Sequence, residues 1–209
     1  RSYKVIHVRA NGTHDIGFQL TANDVIEDIV LKHGRLYVGG VFTQVNGIAR
    51  GALVAVNPAN GNLIQTWSAR LTRVNSTYPP NVTMISAEGA KLFIAGTFDA
   101  IHGQAVKNLA TINPANGALV DSIGCSGYIG SKSVHGDTLL LGGSFLSIAG
   151  QPASQLAALD INTGQYISLS PFPIHVDGFV TEAILCESQL WLCGNIDSVQ
   201  HTSASEFTI

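Results

Sequence analysis

The chain has 209 residues, enough for one large domain or two small ones with a real hydrophobic core. Only 12% of residues are charged, the net charge is −3 and the pI is near 6.1, which excludes a basic nucleic-acid surface. One methionine, 22 glycines and few good helix formers argue against a helical bundle or coiled coil. No apolar run approaches the roughly 20 residues of a membrane helix, and the composition is too apolar for disorder. The expectation is a soluble, glycine-rich, all-β protein.

Residues 1–20 read as an N-terminal strand segment that carries the sequon Asn11-Gly12-Thr13. The first repeat follows, at about 21–68. Its strand a is about Val25–Lys32, with His33-Gly34 as a two-residue hairpin turn. Strand b is Arg35–Phe42, and strand c is about Ala49–Val56. The run Asn57-Pro58-Ala59-Asn60-Gly61 turns the chain into strand d, Asn62–Trp67. A Ser/Thr/Pro/Asn-rich loop then carries two further sequons, Asn75-Ser76-Thr77 and Asn81-Val82-Thr83, and the aromatic Tyr78. Asn75 and Asn81, with Asn11, are the expected glycosylation sites.

The same pattern recurs at about 82–124, 131–170 and 180–209. Leu36-Tyr37-Val38-Gly39-Gly40 becomes Leu92-Phe93-Ile94-Ala95-Gly96, then Leu139-Leu140-Leu141-Gly142-Gly143, then Leu190-Trp191-Leu192-Cys193-Gly194. Phe42 to Gly61, Phe98 to Gly117 and Phe145 to Gly164 each span 19 residues, whereas the starts of the copies are 56, 47 and 51 apart. A fixed unit is therefore joined by variable surface connections. Four short antiparallel strands at a period near 50 predict propeller blades: three complete and a partial fourth that lacks its closing turn and strand d. A parallel β-helix is the structural alternative. The chain is expected to belong to a larger propeller, or else Ser2–Val8 supplies the missing strand and closes a four-bladed ring. Gly40, Gly96, Gly143 and Gly194 read as structural glycines at crowded or bulged strand positions rather than as a phosphate loop, because no helix follows them.

These units resemble the propeller repeats of secreted and cell-surface proteins with the consensus LYVGGxFTxVNG…LAxLNxxTG, related in architecture to kelch and galactose-oxidase propellers. The first copy, through Val38-Gly39-Gly40-Val41-Phe42-Thr43-Gln44-Val45-Asn46-Gly47, matches almost throughout. The fourth departs after Ser198-Val199, where Gln200-His201 replaces Asn-Gly. The resemblance implies an extracellular or cell-surface location and a propeller fold, and says little about function.

Catalytic chemistry is not spelled out locally. The seven histidines form no HExxH or H-x-H arrangement. Asp160-Ile161-Asn162-Thr163-Gly164 mimics the start of a calcium loop, yet Pro171 stands where the closing glutamate belongs. Gly124-Cys125-Ser126-Gly127 is one residue short of a nucleophile elbow. No catalytic residue, metal site or cofactor is assigned. Tyr78 and Tyr128, placed in connecting loops, are candidate ligand-binding aromatics, whereas Trp67 and Trp191 read as packing between blades. In the fourth unit the first unit's hairpin register pairs Cys186 with Gln189 and Cys193 with Glu182. The two thiols then lie about 10–13 Å apart along the hairpin, beyond the reach of a disulfide.

The expected function is that of a non-enzymatic, glycosylated, extracellular structural or interaction propeller. Its partners are other subunits or domains of a cell-surface, matrix or filamentous assembly. It takes no nucleic acid and inserts in no membrane. A carbohydrate-binding, lectin-like propeller is the alternative, with glycans as ligands of the loop tyrosines. A hydrolase or oxidase built on the propeller is the third class.

Overall fold

A computed structural model of the chain describes residues 2–74, 76–169, 174–186 and 189–201. Among these residues all regular structure is β, in several antiparallel sheets and without a helix. The chain divides into two compact units, Arg1–Ser122 and Ile123–Ile209.

The first unit begins with β1 (Tyr3–Val5) and β2 (Leu20–Ala22), which pair antiparallel. The segment Ser2–Val8, the alternative ring-closing strand, contributes β1, which pairs with β2. The first repeat contains β3 (Ile26–Lys32), β4 (Arg35–Gly40), the short β5 (Gln44–Val45) and β6 (Ile48–Ala49), and β7 (Leu53–Val56). Sheet β3-β4-β7 is a meander turned at His33-Gly34. Both turn residues have positive φ, 47° and 69°, as the primed turns of two-residue hairpins require. The expected strand c is split. Its start, Ile48–Ala49, pairs back on Gln44–Val45, and only Leu53–Val56 joins the meander. Asn46-Gly47, at φ of 50° and 75°, makes the primed turn of this extra hairpin. The hairpin joins β2 through Ala22 and Val45, and Asn23 Oδ1 accepts from Thr43 N and Gln44 N at 2.9 Å each. The expected strand d, Asn62–Trp67, is reduced to one bridge, Val56 to Leu63.

The second repeat reuses the plan. It comprises β8 (Leu71–Thr72), β9 (Asn81–Ser86), β10 (Leu92–Thr97), β11 (Ala100–Ile101), β12 (Gln104–Ala105), β13 (Leu109–Ile112) and β14 (Leu119–Ser122). Its main sheet runs β14-β13-β10-β9, and the extra hairpin β11-β12 pairs with β8. Tyr37, Leu53, Ala55 and Trp67 of the first repeat share one core with Val82, Ile85, Leu92 and Ile94 of the second. The opposite face of the first sheet, with Val38, Val54 and Val56, packs on Phe18, Leu20 and Ala22.

The second unit holds β15 (Tyr128–His135), β16 (Thr138–Ser144), β17 (Ser147–Ile148), β18 (Gln151–Pro152), β19 (Leu156–Asp160) and β20 (Tyr166–Ile167). The main sheet is β15-β16-β19-β20, and Cys125 bridges to Ile148 of the extra hairpin. Two 13-residue strands follow, β21 (Ile174–Cys186) and β22 (Gln189–His201). Their register pairs Cys186 with Gln189 and Glu182 with Cys193, as transferred from the first repeat. Leu140, Leu156 and Ala158 pack on Val176, Val180 and Ala183 of β21. The part of the fourth repeat expected beyond His201 lies outside the described residues.

Candidate interaction surfaces

The paired glycines divide two jobs between them. A Cβ on Gly40, Gly96, Gly143 or Gly194 would collide with the backbone carbonyl of Val25, Asn81, Tyr128 or Phe179 respectively. In each repeat, strand a bulges opposite this glycine, between Ile26 and Asp28, Val82 and Met84, Ile129 and Ser131, or Val180 and Glu182. The bulge pushes backbone against backbone, and only glycine leaves room. The preceding glycine faces the next repeat instead. A Cβ on Gly39 would lie 2.8 Å from Val82 Cγ1, and one on Gly142 2.7 Å from Val180 Cγ1. The first and second repeats, and the third and fourth, therefore meet with a bare backbone on one side and a valine on the other.

At the first junction a polar clamp joins this contact. Tyr37 Oη (2.6 Å), Trp67 Nε1 (3.1 Å) and Arg35 (2.9 Å) all donate to the carbonyl of Pro114, in the turn of the second repeat. Asp28 Oδ2 accepts from Ile85 N at 2.7 Å across the same boundary. Trp67 lies in a turn rather than in a strand, and it is buried against Tyr37 with ring centres 5.6 Å apart. Burial pushes the Tyr37 hydroxyl pKa above its ordinary value, so it remains a donor.

In the second unit a different polar chain crosses from the third repeat to the fourth. Ser154 Oγ meets His175 Nδ1, His175 Nε2 lies 3.0 Å from Asp177 Oδ1, and Ser198 Oγ donates to Asp177 Oδ2 at 2.8 Å. The hydrogen bond from Ser198, with a further one from His175, holds the Asp177 carboxyl below its usual pKa. An anionic Asp177 selects the tautomer with hydrogen on Nε2, which leaves Nδ1 to accept the Ser154 hydroxyl. The order serine, histidine, aspartate is that of a nucleophile, its base and an orienting carboxylate. Sequence reading missed it, although His175-Val176-Asp177 places two polar groups on one face of a strand.

The other expected residues are scattered. Asn11 is exposed, but its Oδ1 accepts from Thr13 N and Thr13 Oγ1. Asn75 lies outside the described residues. Asn81 is not in the connecting loop; it opens β9, is half-buried, and accepts from Thr97 N at 2.7 Å. Tyr78 is exposed in the first unit. Tyr128, in the second, belongs to strand β15 rather than to a loop and stacks one ring face on Phe179, at 6.1 Å and 18°. None of the three cysteines is in a disulfide; Cys125 is buried, its thiol donates to Gly127 O, and desolvation pushes its pKa up, against a nucleophilic role. Asp160 turns its carboxylate onto Asn162 N, Thr163 N and Thr163 Oγ1, the work of a turn. Among the described residues no three His, Cys, Asp or Glu side chains gather to hold a metal, and no helix is long and apolar enough to cross a membrane.

Apolar side chains stand open at several places among the described residues. On β21 and β22, Ile184 and Trp191 sit directly opposite each other and are 49% and 63% exposed. On β3, Ile29 and Leu31 are 46% and 63% exposed. Beside Ile29 a cavity of about 400 Å³ opens between Lys4, Val5 and Ile6 and the strand Ile26–Ile29. Neither a protein-family model nor a curated protein matches this chain.

Proposed function

We infer that the chain is a non-enzymatic, extracellular repeat scaffold of the β-propeller kind, which works as a structural or interaction module in a larger assembly. The observation that carries this reading is the repeat junction: Gly39 on Val82 and Gly142 on Val180 are the same contact made twice. A chain that builds one junction repeatedly is suited to stacking units rather than to enclosing one reaction centre. The sparse charge, 12% of residues, fits a surface that sugars or neighbours cover. The test is mass photometry of native material with peptide mapping of Asn11, Asn75 and Asn81. Particles several times the 22.0 kDa chain mass, carrying glycans, are expected. A dispersed, unglycosylated particle of the chain's own mass overturns the reading.

A second reading, that of a hydrolase, is favoured by Ser154, His175 and Asp177 alone. A fluorophosphonate probe decides it. Labelling of Ser154 that disappears in His175→Ala supports a reactive serine, whereas unlabelled Ser154 leaves the chain of contacts as a tie between repeats.

A further inference from the structure

The sequence holds four Asn-Gly dipeptides, Asn11-Gly12, Asn46-Gly47, Asn60-Gly61 and Asn116-Gly117. Glycine leaves its peptide nitrogen unshielded and the backbone free to turn, so that nitrogen can reach the Cγ of the asparagine before it. The fold guards three of these nitrogens. Gly12 N donates to Arg9 O, Gly61 N to Asn57 O and Gly117 N to Asn113 O, each at 2.8 Å. Two of the three peptide groups are held from the other side as well, since Asn60 O accepts from Gln19 N at 3.1 Å and Asn116 O from Ser68 N at 3.3 Å. At Asn46-Gly47, neither Gly47 N nor Asn46 O has a hydrogen-bond partner among the described residues.

The cause is the turn itself. Val45 and Ile48 pair across it, and its two central residues, at φ of 50° and 75°, make a type I′ turn. The pairing falls on the flanking residues, so the middle peptide carries none of it. Rotating that peptide converts type I′ to type II′, and ψ of Asn46 moves from about +30° to about −120°. No hydrogen bond is lost, and the space beside Gly47 is open, since a Cβ there would meet nothing within 4 Å. The rotation carries Gly47 N to the same side of the Cα–C bond as the Asn46 Cβ, the placement that a five-membered ring through Cγ needs. The carboxamide is the fixed partner. Its Oδ1 accepts from Thr21 N at 2.9 Å, a dipole that favours negative charge on that oxygen, and its Nδ2 donates to Gly61 O at 3.1 Å. The second and third repeats make the same positive-φ turn with His102-Gly103 and Ala149-Gly150, which have no carboxamide to attack.

We propose that Asn46 is a site of spontaneous covalent modification, at which Gly47 N closes a succinimide on Asn46 Cγ and the ring then opens to aspartate or isoaspartate. Gly47 N gives its proton to water, the N–Cγ bond forms and the Cγ–Nδ2 bond breaks. Nδ2 takes a proton from water and leaves as ammonia. Water then adds to one of the two ring carbonyls. Breaking the N–Cγ bond yields aspartate, and breaking the bond from that nitrogen to the main-chain carbonyl carbon of residue 46 yields isoaspartate. The only co-reactant is water. Either product removes the Nδ2 donor that ties the hairpin β5-β6 to Gly61, and sets a carboxylate oxygen against the Gly61 carbonyl instead. Isoaspartate also lengthens the main chain by a methylene, so the residue count that fixes the Val45–Ile48 register is lost. The first repeat thus carries a one-way change that loosens β5-β6 from β2 as the protein ages.

The experiment is incubation of the full chain at mildly alkaline pH, folded and in urea, with peptide mapping of the four Asn-Gly sites by mass and by the separate elution of isoaspartyl peptides. In the folded chain Asn46 is expected to convert at least roughly tenfold faster than Asn60 and Asn116, whose peptide groups must first give up hydrogen bonds. Asn11, held by one such bond, should fall between them. In urea the four rates should converge, because the guards are gone. Asn46→Asp mimics one product and should speed hydrogen exchange at Asn23 N, whose bond to Gln44 O ties β5 to the end of β2. Equal rates at Asn46, Asn60 and Asn116 in the folded chain, or an Asn46 that stays intact, overturn the proposal. A lead for Asn46 that persists unchanged in urea overturns the turn as its cause. Unchanged exchange at Asn23 in Asn46→Asp overturns the loosening.

Discussion

The junction between the first two repeats and the junction between the last two share a backbone and differ in their locks. In both, a glycine of strand b meets a valine of the next strand a, within 0.1 Å of the same spacing (2.8 and 2.7 Å). Around that contact the first junction gathers Tyr37, Trp67 and Arg35 on one carbonyl, and Asp28 on one amide. The second has Leu140 in place of Tyr37 and relies on aliphatic packing, a bond from Ser133 Oγ to Ala183 O, and the chain through His175. Main-chain spacing is thus set by what is missing, a Cβ, and the side chains around it are free to vary. That freedom lets one repeat carry different surfaces.

Removing the largest lock should separate the junctions most. Trp67→Ala deletes a fully buried indole and one of the three donors to Pro114 O, and should cost about 3–5 kcal/mol. Leu140→Ala, the comparable truncation in the second unit, removes aliphatic contacts alone and should cost about 2–4 kcal/mol. Hydrogen exchange of β10 and β13 for the first variant, and of β16 and β19 for the second, reads each loss locally. Equal protection in wild type and Trp67→Ala would show that the clamp contributes nothing.

The close approach opposite the strand bulge, which recurs in every repeat, is tested by Gly143→Ala. Its Cβ would be driven into the carbonyl of Tyr128, so the bulge must move, at about 3 kcal/mol. Gly136→Ala is the control. It has open space, and only its positive φ of 56° is unfavourable, at about 1 kcal/mol. Urea unfolding of the two variants should rank them in that order, and reversed costs would refute the close-approach account.

How much of this was legible in the sequence follows from which contacts are local. The hairpin register of Cys186 with Gln189 could be transferred because a two-residue turn fixes pairing by counting. The all-β class was legible for the same reason, from recurring turns and short apolar runs. Strand d was over-read. Asn62–Trp67 has strand composition, but Trp67 turns inward to reach Pro114, and tertiary packing overrides propensity. The extra hairpins Gln44–Ala49, Ala100–Ala105 and Ser147–Pro152 were missed, although Asn46-Gly47 is a strong turn signal. Their strands are only two residues long, too short for any periodicity to show. Ser154 and His175 lie 21 residues apart in sequence and meet only because the fourth repeat stacks on the third.

A smaller contrast lies at one position of strand a. Asp28 and Ser131 are equivalents, each opposite a glycine, yet Asp28 bonds the next repeat and Ser131 Oγ is buried with no partner. Asp28→Ala strands the amide of Ile85 and should cost about 1.5–3 kcal/mol, since the lost acceptor is charged. Ser131→Ala loses no hydrogen bond and relieves a buried hydroxyl, so the stability should stay the same or rise slightly. A large loss in Ser131→Ala, measured by urea denaturation, would mean that this hydroxyl has a partner.

The smallest expected effect is the pH dependence of the second junction. Ser198 donates to Asp177 and, with His175, holds its folded pKa below the unfolded value, which is about 3.9. A group depressed in the folded state binds fewer protons there than in the unfolded chain at intermediate pH. Its stabilisation is therefore present above the unfolded pKa and is lost as pH falls through the folded one. Asp177 is open to solvent, so salt and water screen the pair and keep the effect small. Asp177→Asn should be less stable than wild type at pH 6, and the gap should close as pH drops below about 4. The first-junction clamp lacks an aspartate facing a histidine, so Tyr37→Phe should show a gap that barely changes over the same window. Urea midpoints of the three proteins from pH 6 downward make the comparison. A gap for Asp177→Asn that stays constant with pH would show that this carboxylate has the same proton affinity folded and unfolded, and that the serine–histidine–aspartate chain does not couple to the stability of the fourth repeat.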